Sequence, residues 1–222
     1  MKTRTKYTAQ TYSVLEEQLN VWSHFIGLLL SIGGLVLLVL RALELGSNLA
    51  LLSFSIFGVS MIVLYLASTL YHSSKDPLLR YRLNIFDHAA IYVLIAGTYS
   101  PFALVSLSGR EGYTIFVVVW GIALVGIVFK LFFIGRFNLM STILYVGMGW
   151  LIIFSFESLM YNLDFHGLVW LIAGGISYTL GAVSYSIHKI KFNHFIFHLF
   201  VLLGTFCHFV SIYFYVIPIS KV

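Results

Sequence analysis

The sequence predicts an all-α integral membrane protein, a seven-transmembrane-helix bundle with its N-terminus cytoplasmic and its C-terminus outside. Three observations carry that reading. Of 222 residues, 60% are hydrophobic and 9% charged, and the mean hydropathy is +0.96; a soluble domain of this length does not carry so little charge. Seven apolar runs, each about 20 residues or a little longer, match the length needed to cross a hydrocarbon core of about 30 Å. When the runs are threaded through a membrane, the basic residues collect on one side.

The runs are Val21–Leu43, Asn48–His72, Ile85–Leu107, Tyr113–Phe133, Leu139–Met160, Gly167–Ile187 and His194–Pro218. Ahead of them, Met1 to Asn20 is basic then polar. It lacks an apolar core and a cleavage site, so it is expected to be a cytoplasmic segment rather than a signal peptide. The connecting loops are short, and 1–222 reads as a single seven-helix membrane domain. Pro101, inside the third run, should kink it by removing a backbone hydrogen bond. Small residues at Gly27 and Ser31, Gly33–Gly34, Gly147 and Gly149, and Gly174–Gly175 suggest close helix packing. Cys207 is the one cysteine, which excludes an internal disulfide and a cysteine-rich metal site.

Orientation follows from the cations. One side receives Lys2, Arg4, Lys6, Lys75, Arg80, Arg82, Lys130, Arg136, Lys189 and Lys191; the other receives Arg41, Arg110 and Lys221. That is ten against three of the thirteen, so the N-terminus lies in the cytoplasm. The net charge of +5 is therefore a topology signal, and no nucleic-acid partner is expected. This orientation is opposite to that of G-protein-coupled receptors. A retinal protein needs a lysine within its last helix, and none lies between His194 and Pro218.

The polar groups that remain gather at one depth. The second run ends Ser68-Thr69-Leu70-Tyr71-His72, the third begins near Asn84-Ile85-Phe86-Asp87-His88, and the last opens with His194 and His198. All lie near the inner leaflet. Two histidines four apart project from one helix face and can share one metal ion. Ionisable groups in such segments are costly and usually functional or paired. Three neutral imidazoles from His72, His194 and His198 around Zn²⁺ leave an open position, as in catalytic zinc sites. Asp87 could orient or deprotonate a water there, and Ser68, one turn from His72, could donate to a developing oxyanion. The alternative is that each histidine caps a helix end or hydrogen-bonds at the interface. Depth follows from topology; lateral adjacency of these helices is an assumption.

Glu17, Asn20 and His24 share one face of the first helix on the same side. They read either as supports of the metal ligands or as an exposed glutamate and a packing histidine. His208 falls about 20 Å deeper than His194, too far to share an ion, and reads as a buried hydrogen-bonding histidine. His88 points away from Asp87 and reads as structural. Glu157, Asp164 and His166 flank an outer loop and are expected to be solvated.

With these residues in hand, the chain resembles the hemolysin III family, bacterial relatives of the progestin and adipoQ receptors. The resemblance spans nearly the whole chain, from the Glu16-Glu17, Asn20, His24 pattern onward. It includes Ser68-x-x-x-His72, Asp87-His88-Ala89-Ala90-Ile91-Tyr92, Gly97-Thr98-Tyr99-Ser100-Pro101-Phe102 and His194-x-x-x-His198. It implies a seven-helix bundle with zinc near the cytoplasmic face, held by His72, His194 and His198. Asp87 matches a carboxylate that contacts the zinc-bound water, and Ser68 the serine of a hydrolase-like signature shared with alkaline ceramidases. Hormone signalling is not carried over, because the long N-terminal domain of the adiponectin receptors has no counterpart here.

Three functions are open on these grounds. The first is a zinc-dependent intramembrane hydrolase of a lipid-like amide or ester, with a membrane lipid as partner. The second is a non-catalytic regulator or receptor-like protein of the cell membrane with structural zinc. The third is the cytolysis in the family's name, which uniformly apolar helices do not suit.

Overall fold

The computed structural model describes residues 11–107, 109–134, 137–187 and 189–218. Of the cations used for orientation, Lys2, Arg4, Lys6, Arg136 and Lys221 lie outside the described residues, as does the first half of the 1–20 segment. Among the described residues the chain is helical without strands. It forms α1 (Val14–Glu44), α2 (Asn48–Ser73), α3 (Pro77–Pro101), α4 (Gly109–Phe133), α5 (Asn138–Gly149), α6 (Phe156–Asn162), α7 (Phe165–Ser186) and α8 (Asn193–Tyr215). Seven helical spans are long and apolar enough to cross a membrane, α5 and α6 together making the fifth, Leu139–Asn162.

Two helices begin well before their apolar runs. The α1 helix starts at Val14 because Ser13 caps it, accepting from the Glu16 amide at 3.3 Å, with Glu16 and Glu17 in the first turn. The α3 helix starts at Pro77 because Asp76 accepts from the Leu79 amide at 2.7 Å, with proline at the first helical position. Capping extends each helix past the bilayer core into its polar edge, where hydropathy is silent.

At Pro101 the third span changes helix type. The α-helical hydrogen bonding ends there and the chain continues as a π-helical turn, Phe102–Leu107. The fifth span is interrupted too, by a 3₁₀ turn at Leu151–Ser155. Tyr99 of α3 repairs that break. Its hydroxyl donates to the Gly149 carbonyl at 2.8 Å and accepts from the Ile152 amide at 2.8 Å. Freed backbone groups inside a bilayer need such partners.

The helices close into a ring in which α1 packs on α2 and α8, α2 on α3, α7 on α8, and the fifth span on α3 and α7. The third span is the most enclosed member of this ring: 83% of its most apolar window is buried, against 17–50% for the other spans. The outward faces are aliphatic and aromatic, as at Leu30, Val125 and Phe154. They form the lipid-facing belt of a multi-pass membrane protein. The small residues divide. A side chain at Gly27 would meet Leu202 at 2.7 Å and Tyr65 at 2.9 Å, whereas Gly33, Gly147 and Gly149 face open space within 4 Å. Among the described residues, Lys75, Arg80, Arg82, Lys130, Lys189 and Lys191 lie toward one end of the bundle and Arg41 and Arg110 toward the other.

Candidate metal centre

The ring closure places the end of α2 beside the start of α8. His72 occupies the last turn of α2, and His194 and His198 the first two turns of α8. The chain enters α8 through Phe192, whose φ of 58° is a left-handed conformation uncommon for a bulky residue. The Asn193 side-chain amide then donates to the Tyr185 carbonyl at 3.0 Å, tying α8 to the end of α7 and turning His194 inward.

The three imidazoles meet. His194 Nε2 lies 3.0 Å from His72 Nε2 and 3.1 Å from His198 Nε2, and all three rings are buried. One nitrogen from each lies within 4.8 Å of the others. The outer nitrogens of His198 and His72 have roles fixed by the hydrogen-bond network, whereas His194 Nδ1 is buried without a hydrogen-bond partner. Ser23 spends its hydroxyl proton on the Asn20 carbonyl at 3.0 Å, so it accepts from His198 Nδ1, 3.2 Å away. Glu17 Oε2 accepts from His72 Nδ1 at 2.7 Å. The other oxygen of Glu17 is paired with Arg80, whose guanidinium also donates to the Tyr71 carbonyl at 3.2 Å and the Ser74 carbonyl at 3.3 Å. Arg80 thus caps the C-terminus of α2 and holds the carboxylate that holds His72.

This set fits a metal better than it fits itself. A single Nε2 offers one lone pair or one N–H, so His194 cannot satisfy two neighbouring nitrogens at hydrogen-bond distance. A cation satisfies all three lone pairs at once. Imidazole nitrogens arranged tetrahedrally on zinc at about 2.0–2.1 Å stand about 3.3 Å apart, near the spacing seen here. Three imidazole nitrogens, two of them on rings oriented through a hydrogen-bonded Nδ1, are the donor chemistry zinc accepts.

Rings wall the centre on two sides. His24 stacks on His198 with centroids 3.6 Å apart and planes 5° from parallel, and Tyr12 stacks on His194 at 4.6 Å and 21°. Burial lifts the Tyr12 phenol far above its ordinary range, so the ring carries no charge. Ser68, one turn before His72, is buried with no hydrogen-bond partner for its hydroxyl oxygen. Asp87 is buried too, with His88 Nδ1 at 3.9 Å; that nitrogen donates to the Asn84 carbonyl at 2.9 Å. Ser68, Asp87, His194 and His198 line one cavity of about 140 Å³, whose remaining wall is mostly apolar. A second cavity, about 240 Å³, shares Thr98, Tyr99, Trp150 and His208 with it and continues toward Phe102 and Phe156.

The fold therefore gathers the residues that the sequence singles out: His194 lies against both His72 and His198, and Ser68 and Asp87 share a cavity with His194 and His198. Of the residues left open on the first helix, Glu17 supports His72, His24 packs on His198, and the Asn20 side chain is buried without a partner. Ser23 carries no signal of its own in the sequence beyond adjoining His24 on the inward side. His208 is a hydrogen-bonding histidine as expected, its Nε2 3.1 Å from the Leu171 carbonyl. Glu157 and His166 are exposed; Asp164 is exposed but also caps α7, accepting from the His166 amide at 2.8 Å.

Known proteins resemble this chain along nearly its whole length. The family model described as haemolysin-III related matches residues 12–209, a range that includes every residue of the centre. Hemolysin-3 of Bacillus cereus is 46% identical over 216 residues, 97% of this chain and 99% of that protein. The hemolysin-3 homolog of Bacillus subtilis is 48% identical over 208 residues, 94% and 98% of the two chains. The human monocyte to macrophage differentiation factor is 30% identical over 169 residues, 72% of this chain and 68% of that one. The chain belongs to the haemolysin-III related family.

Proposed function

We propose that the protein is a zinc-dependent intramembrane hydrolase of an acyl lipid, cleaving an amide or ester near the inner leaflet. One observation carries this reading: two of three converging imidazoles, a carboxylate and an unpartnered hydroxyl line one largely apolar cavity. A buried hydroxyl without a partner costs about 1–3 kcal/mol, a cost relieved where a substrate atom occupies the vacant bond. A zinc ion on His72, His194 and His198 supplies Lewis acidity and makes a nucleophile available at neutral pH.

The chain's own groups do the rest. Asp87 takes the proton from the attacking water and returns it to the leaving nitrogen or oxygen as the acyl C–N or C–O bond breaks. Ser68 donates to the carbonyl oxygen as it gains charge. The apolar wall holds the acyl chain, and the cavity reaches exposed Trp150 at the break within the fifth span, a sideways route from the membrane. The products are a free fatty acid and an amine or alcohol.

The test is fatty-acid release from ceramide, N-acylethanolamine and phospholipid esters by zinc-loaded protein in vesicles. Release from one class, lost in His194→Ala and Asp87→Asn, is the expected result. No release from any acyl lipid by metal-loaded protein contradicts the catalytic role and leaves the reading of a membrane-state regulator with structural zinc. That second reading draws on the stacked rings of Tyr12 and His24, which enclose the ligands tightly. A cytolytic role finds less support, because among the described residues Asp87 and Lys130 are the only carboxylate and ammonium groups lining the cavity beside the histidines.

A further inference from the structure

Lys130 has no role in the chemistry above, yet its placement is unusual. The buried positions of α4 are Gly112, Val119, Ala123, Gly126 and Lys130. Their spacings of seven, four, three and four trace one inward helix face. Lys130 is in phase with that face and its side chain is 0% exposed, so it does not reach for the headgroups as membrane lysines near helix ends usually do. Packing fixes its neighbours. A side chain at Gly126 would run into the Tyr92 ring of α3. The two helices are antiparallel, so one turn further along α4 Lys130 stands opposite His88, one turn back along α3. Lys130 lines the cavity that Asp87 and the histidines share, and its ammonium has no hydrogen-bond partner. Asp87 lines the same cavity, but no carboxylate among the described residues lies within ion-pair reach of Lys130.

A buried ammonium without a counter-charge costs several kcal/mol. The site is built to receive a negative group. The wall beyond it is apolar, through Ile91, Leu94, Ile95 and Val146, and leads on to the second cavity. We propose that Lys130 anchors the headgroup of an anionic amphiphile, a carboxylate or phosphate carried on a single acyl or alkyl chain that lies along the cavity. The inference rests on the cavity being an acyl-chain site, and on neither hydrolysis nor the metal. It narrows the ligand class: among lipids of equal chain length, an acidic one is favoured over a neutral one. A fatty acid left by cleavage would also be held here, as a product that inhibits.

The test uses the full chain in micelles of an uncharged detergent, with oleate, oleyl phosphate, oleyl alcohol and inorganic phosphate as probes. Wild type should bind oleate or oleyl phosphate on the order of tenfold more tightly than oleyl alcohol. Lys130→Met should abolish that preference while leaving oleyl alcohol binding unchanged, and Lys130→Arg should retain it. Inorganic phosphate should not compete. If Lys130→Met does not fold, Lys130→Gln serves in its place. The proposal is overturned if wild type binds the three oleyl probes alike, or if the preference survives loss of the ammonium. It is also overturned if inorganic phosphate competes as well as oleyl phosphate, which marks a small-ion site. Loss of the preference in a His72/His194/His198 triple alanine variant, with Lys130 intact, would move it to the histidine centre. Anion binding through Lys130 without lipid cleavage leaves this inference standing and removes the hydrolase; cleavage indifferent to headgroup charge does the reverse.

Discussion

Glu17 and His72, 55 residues apart in the chain, meet at 2.7 Å between carboxylate oxygen and Nδ1. The contact sets the tautomer of a histidine whose other nitrogen faces His194, and the same carboxylate is held by Arg80. Glu17→Gln should keep the fold but weaken metal binding by about 10–100-fold, the usual effect of losing an outer partner of a metal-binding histidine. Titration against a competing chelator measures this directly. Unchanged affinity would show that His72 needs no such support.

Asp87 and Ser68 should separate catalysis from metal binding and from stability. Asp87→Asn is expected to retain the metal and lose fatty-acid release; loss of metal instead would make Asp87 a ligand. Ser68→Ala removes a buried hydroxyl with no partner, so thermal stability should hold or rise slightly while release falls, by roughly 100-fold if the hydroxyl is an oxyanion donor. A large loss of stability would assign Ser68 to structure.

The Tyr99 hydroxyl bridges the interruption of the fifth span. Tyr99→Phe leaves the Ile152 amide and the Gly149 carbonyl without that partner. Destabilisation of about 1–3 kcal/mol is expected, read as a lower unfolding midpoint in detergent. No change would mean that water or the lipid supplies the missing bonds.

The register of α3 against α4, on which the position of Lys130 depends, is open to a paired test. Gly126→Ala forces a methyl into Tyr92, a ring only 1% exposed, and should cost about 1–3 kcal/mol. Gly121→Ala, with nothing within 4 Å, should be neutral or mildly stabilising. Equal effects would contradict this packing.

Much of the fold is legible in the chain because lipid imposes simple rules. Apolar length gives seven spans, and topology puts His72, Asp87, His194 and His198 at one depth. Depth says nothing of lateral order, so the contact of α2 with α8 emerges only from the folded bundle. The helix starts at Val14 and Pro77 escape a hydropathy reading because capped polar turns carry no apolar signal. The break after Gly149 escapes it because its remedy, Tyr99, lies 50 residues away in the sequence. By charge alone Lys130 is an orientation signal like any basic residue near a helix end. Its phase with Val119, Ala123 and Gly126 is the sequence feature that turns it inward.

The most direct measurement is elemental metal content of purified wild type beside the His72/His194/His198 triple alanine variant, prepared without chelator. Wild type should carry close to one zinc per chain and the triple variant almost none, with both remaining helical. A folded wild type that takes up no metal, or a triple variant that keeps it, would contradict the account at its centre.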